Sequence, residues 1–395
     1  MPEKNNSVAL ESDFIKVVRD SNSTKTYVIF SSVDIEPGKF MFWRVMSPIP
    51  GNKIFLNDSD NGWYVHGIPG LGRTALQAAA SLLEIIRSTS PQEVIFLGPS
   101  MGGYGAMLYG AILSNELHDV KTRCLSFGGE FLLYGRETRS GSMGKKEQHK
   151  GYADIRPLLK QSNLSVTQVY GDTDLTDIFQ ASKTHDIENI KRYALRGGPH
   201  AVSTFIGQRF DLMGLIQRFG ETGELPNLPW SNEFDHPEFG KELFLGHLAL
   251  LDRDSKLASN HLQAACNMSP DNAIARHKLG IAQFDLGLYE SALNNQNQAI
   301  QLSPKMDNAY FSRGLIFLKL EKQKLAIEEF EKCVLLNPRH IKSRTLLIES
   351  LILENRLEDC VQHVNAIKDR SPNNPKLKEF ERLLGPLAIR SKTAV

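Results

Sequence analysis

Cysteine, net charge and long apolar runs are all scarce in this chain of 395 residues. Its four cysteines lie too far apart for a disulfide framework or a CxxC metal site. The formal net charge of +1 predicts no general attraction to nucleic acid or to an anionic membrane surface. No apolar stretch reaches the roughly 18 residues that span a bilayer, and residues 1–20 lack the pattern of a secretory signal. We therefore expect a cytoplasmic protein without a membrane span.

Sequence motifs for common cofactors are also missing. The chain contains no P-loop, dinucleotide fingerprint, EF-hand or HExxH motif, so we expect neither a metal nor a cofactor. Hydrophobic residues make up 41% and charged residues 23% of the chain, as in ordinary globular proteins. The length predicts two or three domains.

The second half of the chain repeats with a period of 34 residues. One column of the repeat is proline, and another is a small residue: Pro270, Pro304, Pro338, Pro372; Ala258, Ala292, Ala326, Cys360. Paired helices need small side chains where they cross, and proline ends the second helix of each pair. This pattern is typical of tetratricopeptide repeats. We predict an all-α solenoid of about four repeats over residues 241–389, with a capping helix at 375–389 that closes the array.

The first half of the chain, residues 1–222, alternates between β-branched apolar runs and helical patterns. Such alternation predicts a mostly parallel sheet covered by helices. A segment rich in proline and glycine, 223–240, is predicted to be a linker, with Trp230 docking it onto one of the domains. The predicted strands are 14–18, 26–30, 53–56, 93–97, 123–127, 165–170 and 191–195. The predicted helices are 71–89, 103–113, 177–182 with its continuation, and 201–219.

One motif in this half carries chemistry, the G-x-S-x-G pattern of Gly98 to Gly102 with Ser100 at its centre. An apolar strand precedes it and a helix rich in small residues follows it. Flanking glycines permit a sharp strand-to-helix turn, and the serine hydroxyl then projects at a helix N-terminus, which favours developing negative charge. We predict that Ser100 is a nucleophile.

A serine nucleophile needs a base and an orienting acid, which follow it in the order acid then histidine in this type of fold. Residues 26–219 resemble the α/β-hydrolase superfamily. That resemblance implies Asp174, three residues after a strand-ending glycine, as the acid and His200, after a Gly-Gly-Pro loop, as the base. Asp172 is the alternative acid, and Asp177 is assigned to capping the next helix. His185 is the rival histidine, placed in a polar helical stretch.

The same resemblance implies an oxyanion hole formed by backbone N–H groups. Met101, directly after the nucleophile, should supply one N–H group. The loop after strand 26–30 should supply the second, and Ser32 is our assignment. Many members of the superfamily carry a His-Gly pair in this loop, whereas this chain does not. Close kinship with lipases of the HGGG type is therefore not expected.

Two loops could influence the choice of substrate. Trp63, Tyr64 and His66 follow a strand and form either an aromatic platform for a sugar or acyl chain or ordinary loop packing, which we favour. The basic segment 136–150 forms either a mobile cover that favours an anionic substrate or, as we favour, a solvated loop.

Together these features predict an α/β-hydrolase enzyme, an esterase, deacylase or acyltransferase, fused to a repeat array. The substrate would bear an acyl group, with a glycan as one candidate carrier, and the repeats would bind a partner protein or peptide. The alternative is a catalytically inactive hydrolase-like scaffold whose repeats carry the function. A weaker third hypothesis is peptidase activity.

Overall fold

The computed structural model describes residues 6–58, 60–136, 138–142, 150–231 and 238–392. It divides into two compact units, Met1–Phe244 and Leu245–Val395. Parts of the predicted basic segment (137 and 143–149) and of the predicted linker (232–237) lie outside the described residues. No helix in the described part of the chain is both long and apolar enough to cross a membrane.

The first unit contains a mostly parallel sheet, with nine strands among the described residues. Each predicted strand is present with its ends shifted by a few residues. Two short additions at the sheet edges, β1 and β9, were not predicted. The strands are β1 Asn6–Glu11, β2 Ile15–Asp20, β3 Lys25–Phe30, β4 Asn52–Leu56, β5 Glu93–Pro99, β6 Lys121–Phe127, β7 Ser165–Gly171, β8 Ile190–Leu195 and β9 Trp230–Ser231.

The order of the strands creates a crevice at one place in the sheet. The order is β1-β2-β4-β3-β5-β6-β7-β8-β9, and the six strands from β4 to β8 run parallel. The chain leaves β3 towards β4 on one side and then returns to place β5 on the other side of β3. At such a switch point the two connecting loops leave in opposite directions, so a ligand crevice forms at the carboxyl ends of β3 and β5.

Helices cover both faces of the sheet, and each predicted helix is present with altered ends. The predicted helix 201–219 is two helices, because Phe210 is extended and the Asp211 side chain accepts the N–H of Gly214 to start the second one. The helices of this unit are α1 Trp43–Met46, α2 Ala75–Arg87, α3 Met101–Ser114, α4 Arg139–Ser142, α5 Arg156–Lys160, α6 Leu175–Ser182, α7 Val202–Arg209 and α8 Leu212–Thr222.

The predicted linker contributes to the sheet. Within it, β9 pairs antiparallel with β8 through Trp230 and Leu195. The Trp230 ring packs edge-on against Tyr193, with 5.2 Å between ring centroids, and its indole N–H donates to the carbonyl of Pro226. Trp230 therefore fastens this segment to the first unit.

The rest of the described chain is an all-α array of helix pairs. The four repeat prolines each follow the second helix of a pair, and the predicted capping helix is α17. Helix α9 spans the boundary between the two units. The helices are α9 Phe239–Leu251, α10 Ser255–Met268, α11 Ala273–Asp285, α12 Tyr289–Leu302, α13 Asp307–Lys319, α14 Gln323–Leu336, α15 Ile341–Leu353, α16 Leu357–Arg370 and α17 Leu377–Lys392.

The small residues of the repeat lie where the helices meet. The column from Ala258 to Cys360 is completely buried. A Cβ atom added at Gly314 of α13 would lie 2.5 Å from the Phe330 ring of α14. In the next pair the glycine is replaced by Ile348, and the residue matching Phe330 is the smaller Val364. Bulk on one helix is thus balanced by a small residue on its partner, as close packing demands.

Candidate functional site

The backbone turn at Ser100 is sharp and has a left-handed conformation. Its φ is 52° and its ψ is −118°, which is costly for a residue with a side chain. A Cβ atom at Gly102 would lie 2.3 Å from the carbonyl oxygen of Phe30, and one at Gly98 would lie 2.5 Å from the carbonyl carbon of Gly102. The two glycines therefore allow β3 and the start of α3 to approach closely enough to form this turn.

The surroundings hold the turn in place. The N–H of Ser100 donates to the carbonyl of Phe127 at the end of β6, over 2.7 Å. Helix α3 begins at Met101 and is buried around its circumference, with Ile112 its one half-buried residue. Because the first N–H groups of a helix have no intrahelical acceptor, the N–H of Met101 is available beside the Ser100 hydroxyl.

His200 lies on the loop after β8, as predicted, and close packing against β7 positions this loop. A Cβ atom at Gly171 would lie 2.0 Å from the carbonyl oxygen of Gly198. That carbonyl accepts both the N–H and the hydroxyl of Thr173. The Asp172 carboxylate accepts the N–H of Gly197 over 2.7 Å. Asp172, the alternative acid, thus holds the loop that carries His200.

Ser100, His200 and Asp177 form a continuous hydrogen-bonded chain. The Ser100 hydroxyl lies 2.8 Å from Nε2 of His200. Nδ1 of His200 lies 3.0 and 3.2 Å from the two carboxylate oxygens of Asp177. In the matching tautomer, Nδ1–H donates to Asp177 and Nε2 accepts from Ser100, as a serine–histidine–acid relay requires. His185, the rival histidine, lies in the connection between α6 and β8.

The structure exchanges the roles predicted for Asp174 and Asp177. Asp174 is the N-cap of α6, and its carboxylate accepts the N–H of Asp177 over 3.0 Å. It also pairs with Arg139 over 2.6 Å. Asp177, predicted to cap the helix, instead points at His200 from the first turn. An acid at an N-cap with a second acid three residues later has the spacing of a capping box, and this signal favours the first acid as the cap.

Arg139 connects the two carboxylates. Its guanidinium donates to Asp177 over 2.9 Å as well as to Asp174. Its backbone N–H donates to the buried carboxylate of Glu130 over 2.8 Å, which fixes the start of α4 beside the site. Arg139 belongs to the basic segment 136–150, for which we favoured a solvated loop, but its side chain is only 22% exposed and pairs with both acids.

The surroundings shift the pKa values of the two acids in opposite directions. Burial raises the pKa of Asp177 above its ordinary value, although the hydrogen bond from His200 and the charges of His200 and Arg139 oppose the rise. Burial also acts to raise the pKa of Asp174, but the charge and hydrogen bond of Arg139 hold it below its ordinary value. The pKa of Asp177 therefore lies above its ordinary value and that of Asp174 below it.

A cavity of about 370 Å³ opens in front of Ser100. Its walls include Ser32, Trp63, Arg139 and His200. Ser32 follows β3, on the side of the switch point opposite the turn that carries Ser100. The neighbouring Ser31 is committed to the fold, since its N–H donates to the carbonyl of Leu56. Ser32 and Met101 thus remain our assignments for the oxyanion donors.

The side chains of the aromatic loop after β4 differ in their exposure. Trp63 lines the cavity and packs edge-on against Tyr104, with 5.9 Å between ring centroids. Tyr64 is completely buried, and its hydroxyl donates to the carbonyl of Ser31 over 2.8 Å. His66 is exposed. Trp63 is only 1% exposed, so ordinary loop packing accounts for Trp63 and Tyr64 alike, although Trp63 also forms part of the cavity wall.

One group of possible metal ligands occurs among the described residues, in the helical array: Asp307, Cys333 and His340. Asp307 already accepts a hydrogen bond from Asn337, and Nδ1 of His340 accepts the N–H of Ser343. Burial raises the pKa of the Cys333 thiol to about 11, which keeps it protonated near neutral pH. These interactions support a packing role, and the expected absence of a metal stays a prediction.

Comparison with known proteins identifies the second unit. The sequence profile of the Tetratricopeptide repeat family matches residues 273–306 and 307–340. These are the second and third repeats predicted from the 34-residue period. The helical part of the chain is therefore a tetratricopeptide-repeat solenoid.

Individual proteins are similar to part of this chain. The chain is 30% identical over 104 residues to the mitochondrial import receptor subunit TOM70 of Rattus norvegicus, a match that covers 25% of this chain and 17% of the receptor. MamA from Desulfovibrio magneticus RS-1 is 20% identical, with a TM-score of 0.34, over 39% of this chain and 86% of MamA. YrrB, described as a TPR protein with an unusual peptide-binding site, is 16% identical, with a TM-score of 0.34, over 46% of this chain and 87% of YrrB.

Proposed function

We propose that the first unit is an α/β-hydrolase-type enzyme that transfers acyl groups through Ser100. The observation that carries the proposal is the relay from Ser100 through His200 to Asp177, with contacts of 2.8 and 3.0 Å. Its position supports the proposal independently. The relay lies at the switch point between β3 and β5, where sheets of this type place their ligands.

The reaction follows from these contacts. His200 takes the hydroxyl proton as the Ser100 oxygen forms a bond to the carbonyl carbon of the substrate. The N–H of Met101, and a second donor at Ser32, stabilise the oxyanion. His200 then gives its proton to the leaving group as the bond to that group breaks, and an acyl-enzyme remains. Water, activated by His200 in the same way, releases the acid and restores Ser100.

Asp177 has two effects in this scheme. It accepts Nδ1–H, which fixes the tautomer of His200, and its negative charge stabilises the imidazolium that forms during attack. The Arg139 guanidinium opposes the rise that burial causes in the pKa of this carboxylate. Replacement of the attacking water by a sugar hydroxyl or an amine would make the enzyme an acyltransferase that uses the same residues, and a glycan is one candidate acceptor or acyl carrier.

A fluorophosphonate probe tests the proposal, because it reacts with a serine that a histidine activates. We expect the wild-type chain to be labelled and Ser100→Ala to remain unlabelled. Ser203→Ala is a matched control, since Ser203 lines the same cavity outside the relay. A folded wild-type chain that resists labelling, or labelling that persists in Ser100→Ala, would contradict the proposal.

We propose a second function for the repeats, binding of a partner protein or peptide. The family match supports it, as do the relatives, among them an import receptor subunit and a protein with a peptide-binding site. The comparisons favour this binding function, and with it the scaffold hypothesis, over catalysis. If Ser100→Ala preserves every cellular function while removal of residues 245–395 abolishes it, the chain is a scaffold with an inactive first unit.

Peptidase activity is the remaining candidate for the Ser100 site. The relay itself does not distinguish an ester from an amide, because both react through the same acyl-enzyme. A panel of p-nitrophenyl esters and peptide anilides would separate them. We expect the esters to be cleaved and the anilides to be left intact.

A further inference from the structure

A second and larger cavity lies next to the one at Ser100. Its volume is about 700 Å³, against about 370 Å³ for the Ser100 cavity. Both volumes lie in the range of pockets that hold small molecules. Met41, Ser203 and Thr204 line both cavities, so the two share a wall. We refer to the larger one, between residues 38–45 and residues 203–212, as the distal groove.

Apolar side chains dominate the walls of the distal groove. Phe40, Phe42 and Val45 are half-buried against the core on one side, and Leu212 lies on the other. Trp43, which is 38% exposed, adds a large apolar surface. Side chains of this kind are usually covered in a folded protein, and an apolar surface left open on this scale marks a place where something binds.

Three cationic side chains lie at the rim, Lys16, Lys39 and Arg44, and two of them are paired with carboxylates. Lys16 pairs with Glu11 over 2.5 Å and also lies 4.6 Å from the centroid of the Trp43 ring. Lys39 pairs with Glu36 over 2.5 Å. Nearby carboxylates therefore offset both lysine charges. Ser203, Thr204 and Gln208 also line the groove, but most of the exposed surface of its walls is apolar. An apolar surface suits an aliphatic chain better than a sugar, whose hydroxyl groups need polar partners.

We propose that the distal groove holds the apolar chain of an ester whose carbonyl lies at Ser100. The inference rests on the proposed function of Ser100 and narrows its substrate class to esters with a medium or long aliphatic chain. Continuity carries the argument, because a chain that leaves the Ser100 cavity past Met41 and Thr204 enters the groove directly. Such a chain would bury the exposed surface of Trp43.

Gly207 of α7 offers a way to fill the groove without disturbing the fold. It lines the groove, and a Cβ atom added there would meet only Leu212, at 3.8 and 3.9 Å, which are ordinary contacts. Leucine is also a better helix former than glycine. Gly207→Leu should therefore occupy groove volume while leaving α7 intact.

The kinetic test compares p-nitrophenyl acetate with p-nitrophenyl dodecanoate. We expect the wild-type chain to prefer dodecanoate in kcat/KM, and Gly207→Leu to lower the ratio of dodecanoate to acetate by about tenfold, the effect of excluding roughly two methylenes. Gly385→Leu, the same change in helix α17 of the second unit, is the matched control. If acetate cleavage depends on Ser100 but Gly207→Leu does not change the ratio of dodecanoate to acetate, the groove proposal is overturned and the proposed function stands.

A binding measurement separates the two proposals completely. Calorimetric titration of dodecanoate into Ser100→Ala should show binding, and Ser100→Ala/Gly207→Leu should bind about tenfold more weakly. The groove proposal is overturned if dodecanoate does not bind, or if Gly207→Leu leaves its affinity unchanged. If Gly207→Leu weakens dodecanoate binding as expected but the wild-type chain is not labelled by fluorophosphonate, the groove is supported and only the hydrolase proposal is overturned.

Discussion

At the residue scale, the acid of the relay is the position that sequence and structure assign differently. The structure brings the predicted serine and histidine within 2.8 Å of each other, and each follows its own strand with flanking glycines that have steric reasons to be there. Asp174 and Asp177 lie three residues apart and hence on one face of the first turn of α6. Which of them reaches His200 depends on where the helix begins, and a strand-to-helix pattern leaves that uncertain by a few residues.

Substitution of each acid by asparagine should separate their roles. We expect Asp177→Asn to lower kcat for ester cleavage by about 10⁴, because the amide can stabilise the wrong His200 tautomer and carries no charge. Asp174→Asn should keep activity within about tenfold, because asparagine is itself a good N-cap. Steady-state kinetics on an activated ester measures both, and circular dichroism verifies folding. An equal loss of activity in the two variants would argue against Asp177 as the orienting acid.

At the scale of the element, β3 and α3 can pack closely only because the G-x-S-x-G motif has glycines where they meet. Gly102→Ala would place a methyl group 2.3 Å from the backbone oxygen of Phe30, which cannot rotate away. We expect a loss of about 3 kcal/mol in the free energy of unfolding and loss of fluorophosphonate labelling. Gly110→Ala in the same helix meets a movable Leu164 methyl group at 2.8 Å and should cost less than about 1 kcal/mol. Urea denaturation would compare the two, and equal costs would count against a backbone clash at Gly102.

The repeat helices offer a second prediction at this scale, based on the balance of bulk within a pair. Gly314→Ile should destabilise the array because the Phe330 ring lies where the new side chain would go, and Phe330→Val alone should leave a cavity. The double variant reproduces the isoleucine and valine found at positions 348 and 364 of the next pair. We expect it to recover most of the loss, with a coupling energy of about 2 kcal/mol in a double-mutant cycle. Additive losses would mean that the two positions are not packed against each other.

At the scale of the whole molecule, the architecture was largely predictable, whereas the use of its surfaces was not. Periodicity predicted the repeats because each repeat solves the same packing problem, and strand–helix alternation predicted the parallel sheet. The edge strand β9 was missed because it has only two residues, and β1 was missed because polar residues at both of its ends leave only a brief apolar run. The distal groove was missed because its walls come from residues 38–45 and from α7, segments that are distant in the chain and have no shared motif.

The two units carry different optical signals, so their stabilities can be measured separately in the intact chain. All three tryptophans, Trp43, Trp63 and Trp230, lie in the first unit. The long helices of the repeat solenoid, by contrast, make a large contribution to far-ultraviolet circular dichroism. His277 of α11 is buried in the solenoid, and its Nδ1–H donates to the Gln296 side chain over 2.9 Å. A change in solenoid stability should therefore shift the denaturation midpoint followed by circular dichroism and leave the midpoint followed by tryptophan fluorescence unchanged.

Acid should produce such a change through His277. Burial lowers the pKa of His277 to about 4, from 6.5 in the unfolded chain, against the opposing effect of its hydrogen bond to Gln296. Between these values the unfolded chain binds a proton that the folded chain does not. The stability that the neutral imidazole contributes is thus complete above pH 6.5 and is lost as the pH falls towards 4, by roughly 3 kcal/mol in total. His363 of α16, whose pKa burial also lowers to about 4, adds a loss of the same sign.

Urea denaturation at a series of pH values, followed by both signals, tests this linkage. For the wild type we expect the dichroism midpoint to fall between pH 7 and pH 5, where most of the unfolded His277 becomes protonated. His277→Gln, which keeps a side-chain amide able to donate to Gln296, should reduce that fall while leaving the fluorescence midpoint unchanged at every pH. His66→Gln is the matched control, because His66 is an exposed histidine of the first unit. A dichroism midpoint with the same pH dependence in the wild type and in His277→Gln would show that the buried imidazole is not the source of acid sensitivity, and a fluorescence midpoint that shifts with it would show that the two units unfold together.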